Sequence, residues 1–169
     1  MGRIFKCMEL HLENYFSNFR SSSNISPMGT LTIYLADDDL EDREFFAFAL
    51  LGLPISAAVI HFSEGGELIR ALCDDSQCPD AIFLDLNMPG MGGFECLSRV
   101  RGMERFHKTP IIMYSTAAHR IDVLRAMESG ANRYLKKPSS MNQLKTVLYK
   151  YLRELAHPGQ MSDDFRVLS

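Results

Sequence analysis

The sequence predicts an α/β domain built on a doubly wound, five-stranded parallel sheet. Three observations carry that expectation. Short apolar runs alternate with longer amphipathic ones from Thr30 to about Ala156, which is the pattern of repeated βα units. Most of the short runs are apolar throughout, as strands covered by helices on both faces are. Several of them stop abruptly at polar residues followed by turn signals, as strands reaching one shared sheet edge do.

The first strand, Leu31–Ala36, is apolar apart from Thr32 and ends in Asp37-Asp38-Asp39. A helix starting near Leu40–Asp42 carries Phe45, Phe46, Phe48, Ala49 and Leu50 and stops before Gly52 and Pro54. The second strand spans Ala57–Phe62 and the third Ala81–Leu86, with a helix over Gly65–Cys73 between them. Asp74 to Pro79 is a polar surface loop. The run Phe83-Leu84-Asp85-Leu86-Asn87-Met88-Pro89-Gly90 places Asp85 at the exposed end of a buried strand, before a Pro-Gly turn. A helix over Gly92–Arg101, a fourth strand Pro110–Ser115 and a helix over Arg120–Ser129 follow. Gly130 suits the left-handed residue just beyond a helix end. The fifth strand, Arg133–Lys136, leads to Lys137-Pro138 and a last helix over Ser140–Leu155.

Residues 1–28 differ in character. Phe5, Met8, Leu12, Tyr15 and Phe19 fall on one stripe of a helix, and Ser21 to Pro27 read as a linker. The segment is either a small docking or dimerisation helix or an extension added by an upstream start, with Met28 the alternative beginning. The domain is expected over 29–156, with 157–169 a short tail that leaves no room for an output domain.

The 169 residues, 46% apolar and 23% charged, suit one domain with a modest extension. A net charge of −3 without a dense basic tract argues against direct nucleic-acid binding. Cys7, Cys73, Cys78 and Cys96 match neither a zinc spacing nor a disulfide framework. No apolar run approaches the roughly 18 residues that span a bilayer, and no signal peptide is evident, so a cytoplasmic protein is expected. His107, His119 and His157 are scattered and read as surface residues.

Strand ends of an open parallel sheet share one edge, where ligands bind at the switch point of strand order. The acids after the first and third strands, Ser115-Thr116 after the fourth and Lys137 after the fifth are thereby expected to converge. That set suits a divalent cation and a phosphoryl group, since phosphoryl transfer needs positioning and charge neutralisation. Asp85 also reads as an ordinary turn aspartate, Asp37 and Asp38 as a solvated helix start beside Glu41, Asp42 and Glu44, Ser115 as a helix cap, and Tyr134 as sheet packing.

Five motifs in order make the chain resemble a response-regulator receiver domain of two-component signalling. They are the acid pair after the first strand, Leu84-Asp85-Leu86-Asn87-Met88-Pro89-Gly90-Met91-Gly92-Gly93, the hydroxyl closing the fourth strand, Gly130 to Tyr134, and Lys137-Pro138. The resemblance covers Leu31 to about Leu155 and implies a flavodoxin-like (βα)5 fold. It implies that Asp85 is the phosphoacceptor and Lys137 the phosphate-contacting lysine. Asp37 and Asp38 match the pair that binds Mg²⁺ with Asp85 and the backbone carbonyl of Asn87; Asp39 and Glu41 fall beyond it. Ser115 matches the hydroxyl position that turns toward the phosphoryl group, with Thr116 the other candidate, and Tyr134 the aromatic switch residue. The family holds the bond before Pro138 in the cis form.

The expected function is a single-domain, non-enzymatic switch that assists its own phosphoryl transfer and dephosphorylation. Its expected partners are a sensor histidine kinase or phosphotransfer protein and a downstream protein target, with no nucleic acid or membrane, and the chain a monomer or weak homodimer. A receiver-like module that binds partners without phosphorylation is the alternative. A haloacid-dehalogenase-type phosphatase needs a second acid where Asn87 stands.

Overall fold

Five of the apolar runs become parallel strands, and a sixth strand joins them. The computed structural model describes residues 29–74, 78–157 and 165–168; the stripe read at residues 5–19 and part of the tail lie outside them. The elements are β1 (Leu31–Ala36), α1 (Leu40–Leu51), β2 (Ala57–Phe62), α2 (Gly65–Cys73), β3 (Ala81–Leu84), α3 (Gly93–Arg101), β4 (Ile111–Ser115), α4 (Arg120–Glu128), β5 (Arg133–Lys136), α5 (Met141–Ala156) and β6 (Arg166–Leu168). A 3₁₀ turn, Glu104–Phe106, precedes β4.

The strand order is β2-β1-β3-β4-β5-β6, all parallel. The order reverses between β1 and β3, which places a switch-point crevice beyond the carboxyl ends of those two strands. Two apolar layers cover the sheet. Phe46, Ala49 and Leu50 of α1 and Leu144, Leu148 and Leu152 of α5 pack on one face; Leu68 and Leu72, Cys96, Leu97 and Val100, and Ala126 from α2, α3 and α4 pack on the other. Phe83 is central to the first layer, with edge-on contacts to Phe46 at 4.9 Å and Tyr151 at 6.0 Å between ring centroids.

Most element limits lie within one residue of the sequence expectation. β3 ends two residues sooner, because the Asn87 N–H donates to Asp85 Oδ2 at 2.7 Å and turns the chain out of the sheet. Gly130 takes φ +87, the Ala131 N–H donates to Ala126 O and the Gly130 N–H to Met127 O. The left-handed residue expected at Gly130 thus closes a Schellman motif. Among the described residues no peptide bond is cis, so the expected cis bond before Pro138 is not found.

The sixth strand was not expected. Arg166, Val167 and Leu168 lie opposite Arg133, Tyr134 and Leu135, and Phe165 and Leu168 pack against opposite core layers. Three residues are too few for a periodicity signal.

Candidate functional site

Three loops, after β1, β3 and β5, leave the carboxyl edge of the sheet and bring three carboxylates to one ammonium. Asp37 follows β1; its N–H donates to Phe62 O at 3.0 Å, so β2 holds it at the sheet edge. Asp85 follows β3, with its N–H on Ala36 O at 2.8 Å. Lys137 follows β5, and its N–H donates to Ser115 O at 2.7 Å. Each anchor is a sheet-type backbone bond continued past the strand end, so positions are set by main chain before any side chain acts.

Lys137 Nζ lies 2.7 Å from Asp37 Oδ2, 2.7 Å from Asp42 Oδ2 and 3.0 Å from Asp85 Oδ1. The site is far more enclosed than an exposed strand end: Asp37 is fully buried and Asp85 only 5% exposed. The reason is Lys137, whose aliphatic stem and ammonium close over both carboxylates. The Asn87 N–H holds the other oxygen of Asp85, leaving the acid fixed at both atoms. Asp37 is fixed as well. Its Oδ1 accepts the Asp39 N–H at 3.1 Å, and its backbone carbonyl accepts Arg43 Nη1 at 2.6 Å.

The electrostatics follow from burial. Burial works against charge on Lys137, but its close contacts with the Asp37, Asp42 and Asp85 carboxylates outweigh it and lift its pKa above the ordinary lysine value. For Asp37 burial prevails: its carboxyl stands above the ordinary aspartate value although Lys137 and the Asp39 N–H pull it down. The two directions are compatible, because the ammonium faces three carboxylates whereas Asp37 must share one ammonium with two other acids. Nearby, burial also pushes the Tyr114 hydroxyl well up, and the Tyr114 ring lies 5.3 Å from Nζ.

Ser115 ends β4 and is buried, its Oγ accepting the Ala117 N–H at 3.4 Å. Tyr134 is fully buried, and its hydroxyl donates to Ala117 O at 2.7 Å. Both expected switch residues therefore hold the same loop, and the tyrosine already occupies an inward position. Asp38 is exposed, as are Asn87, Thr116 and Lys136. His107, His119 and His157 are exposed as expected, and Cys73, Cys78 and Cys96 are free thiols.

Asp42 is the residue the sequence reading missed. In sequence it reads as part of a solvated helix start, yet it shares Lys137 with the buried acids. Asp39 caps α1 by accepting the Glu41 and Asp42 N–H groups, which fixes the first turn above the sheet edge. A signal existed: a helix beginning four residues after a site strand carries its first-turn acids over the same edge.

Among the described residues no three carboxylate, thiol or imidazole groups stand together as a formed metal site. Lys137 takes the position between Asp37 and Asp85. The oxygen donors nevertheless fit Mg²⁺, which takes carboxylate, carbonyl and water oxygens. Enclosed Asp37 Oδ2 meets Nζ as an ion pair without an aligned hydrogen bond, so it retains acceptor capacity.

A doubly wound parallel sheet with acids and a lysine at its switch edge defines a class of phosphoryl-signalling domain, and sequence comparison narrows it. The chain belongs to the response-regulator receiver family, whose domain model matches residues 33–149. Among curated relatives, the nitrate/nitrite response regulator NarL of Escherichia coli is 40% identical over 119 residues, covering 70% of this chain and 53% of NarL. The chemotaxis protein CheY1 of Helicobacter pylori is 37% identical over 88 residues, 52% of this chain and 68% of CheY1. The sensor histidine kinase CheAY of Helicobacter pylori is 29% identical over 90% of this chain, which spans only 18% of that protein. The fold agrees with the chemotaxis response regulator CheY4 of Vibrio cholerae (TM-score 0.64, 25% identity, 75% of this chain and 99% of that one). It also agrees with the Mn²⁺-bound response regulator Rcp1 (TM-score 0.67, 23% identity, 75% and 95%). The chain is thus a receiver domain homologous to CheY-like response regulators. Among the described residues no helix is long and apolar enough to cross a membrane.

Proposed function

We propose that Asp85 accepts a phosphoryl group from a phosphohistidine donor and that the product switches a protein-binding surface. The observation that carries the reading is the enclosed Lys137 ammonium, which touches Asp37 Oδ2 and Asp85 Oδ1 together. A carboxylate attacking a phosphoryl group must overcome like charge, and a fixed ammonium beside the nucleophile offsets it. An Asp85 oxygen forms the new P–O bond while the P–N bond to the donor imidazole breaks, and the electron pair leaves with that nitrogen. Asn87 N–H and Lys137 hold the acid in place for this displacement.

Asp37, Asp38, Asp85 and the Asn87 carbonyl would hold Mg²⁺. Bound there, the metal supplies further neutralisation of the acids and of the transferred oxygens. Lys137 exchanges part of its contact with Asp37 and Asp42 for a phosphoryl oxygen. Ser115 turns to a second one, which releases the Ala117 N–H it now accepts. Because the Tyr134 hydroxyl holds the carbonyl of the same residue, the loop and the tyrosine shift together. A sensor histidine kinase or phosphotransfer protein is the donor, and a further protein reads the changed surface. The setting is cytoplasmic.

The test is intact mass after incubation with a small phosphodonor and Mg²⁺. One phosphate is expected on the native chain and none on Asp85→Asn or in chelator. A folded chain that gains no phosphate with metal present would overturn the reading and favour the alternative, a module that binds partners without phosphorylation.

A further inference from the structure

Helix α1 has a second apolar face that nothing among the described residues covers. Phe46, Ala49 and Leu50 are buried against the sheet, yet Leu40, Phe48 and Leu51 remain 59%, 39% and 44% exposed. These three recur at helical spacing on one side of α1. With Ala58 and Val59 of the edge strand β2 they line a groove of about 350 Å³. The groove is lined almost entirely by apolar surface, the kind of lining an apolar helix face can cover.

We propose that the groove is the docking site of the chain's own residues 5–19, bound as a helix through Phe5, Met8, Leu12, Tyr15 and Phe19. Three observations support this occupant, and the last two favour it over a second copy or another protein. The first is chemistry: the segment carries one apolar stripe and the groove is an apolar trough flanked by Arg43 and Glu44.

The second is where the chain enters. Leu31 N–H donates to Ser56 O at 2.9 Å and Thr30 Oγ1 lies 2.9 Å from Ser56 Oγ, so the segment joins the domain beside Ala57, at one end of the groove. The third is reach. The ten residues from Arg20 to Gly29 extend to about 33 Å, and a helix over 5–19 is about 22 Å long, near the roughly 18 Å of α1. A short tether also gives an effective concentration in the millimolar range, far above that of a second copy in dilute solution.

The test is cysteine accessibility in the full chain. Ala47, at the groove, is replaced by cysteine in a background of Cys7→Ser, Cys73→Ser and Cys78→Ser; Cys96, fully buried, stays. Maleimide labelling of the new thiol is expected to be slow at every protein concentration. Leu12→Asp, on the stripe, should accelerate it by about tenfold or more, the scale of one lost buried leucine. Phe5→Ser should act in the same direction, and Glu9→Gln, off the stripe, should leave the rate low. Circular dichroism confirms that each variant is folded. An unchanged rate in both Leu12→Asp and Phe5→Ser would overturn the proposal, and so would protection that grows with protein concentration, which would assign the groove to a second copy. The readout needs no phosphorylation, so it stands or falls separately from the role of Asp85.

Discussion

Replacing Lys137 by methionine keeps most of the stem and removes the charge that three acids share. Breaking a buried ion pair from one side costs about 3–5 kcal/mol, because the partner charge stays buried and unpaired. Asp37 is the partner that cannot escape, with its side chain fully enclosed and 2.7 Å from Nζ. Asp85 is 7% exposed by side chain and adds to the cost, whereas Asp42, at 33%, keeps access to water and contributes on the scale of a surface pair. The expected loss without metal is about 3 kcal/mol at neutral pH, a fall of about 1.5 M in the urea midpoint at a slope near 2 kcal/mol/M.

The sign of the pH dependence follows from the two shifts. Lys137 has a raised pKa, so its contribution is complete below the ordinary lysine value near ~10.4 and is lost as pH rises through the folded value. Asp37 is already raised by burial and rises further once its ammonium is gone, so in the variant it takes up a proton sooner on acidification. The deficit is therefore largest at neutral pH and shrinks toward pH 4. Urea unfolding in chelator at pH 7.5 and pH 5, followed by circular dichroism, measures it. A midpoint shift below about 0.5 M at pH 7.5, or a deficit that grows with acid, would refute the shared-ammonium account.

Gly93→Ala should destabilise the domain by about 1–3 kcal/mol and slow phosphorylation of Asp85. A Cβ at residue 93 would stand 2.2 Å from the Asp85 carbonyl oxygen, so the acceptor backbone must move; urea unfolding and the rate of mass gain report the two effects. Tyr134→Phe removes the donor to Ala117 O and should cost about 1 kcal/mol in thermal unfolding. It should also weaken partner binding by the phosphorylated form while leaving the phosphorylation rate within about twofold, since the hydroxyl holds the loop and not the acceptor.

The sheet and its helices were legible because their signals are local and long. Runs such as Ile111-Ile112-Met113-Tyr114 are buried on both faces and show it by composition, and the end of α4 was marked by a glycine whose positive φ is intrinsic to its chemistry. Asp37, Asp85 and Lys137 were legible as a group for a topological reason: in a parallel sheet their order along the chain already places them on one edge.

What only the tertiary structure decided is how these charges are shared. Asp37, Asp42 and Lys137 are separated by up to 100 residues, and nothing local distinguishes Asp42 from Glu41; its role depends on how the first turn of α1 sits above β5. The enclosure of Asp85 depends on the Lys137 side chain lying over it, a packing result that no residue's own propensity contains. The same holds for β6, whose three residues become a strand only because β5 offers an edge. Local periodicity determined the elements and strand chemistry the shared edge. The long-range burial of charge, where Coulomb energy and desolvation compete, had to be settled by the fold itself.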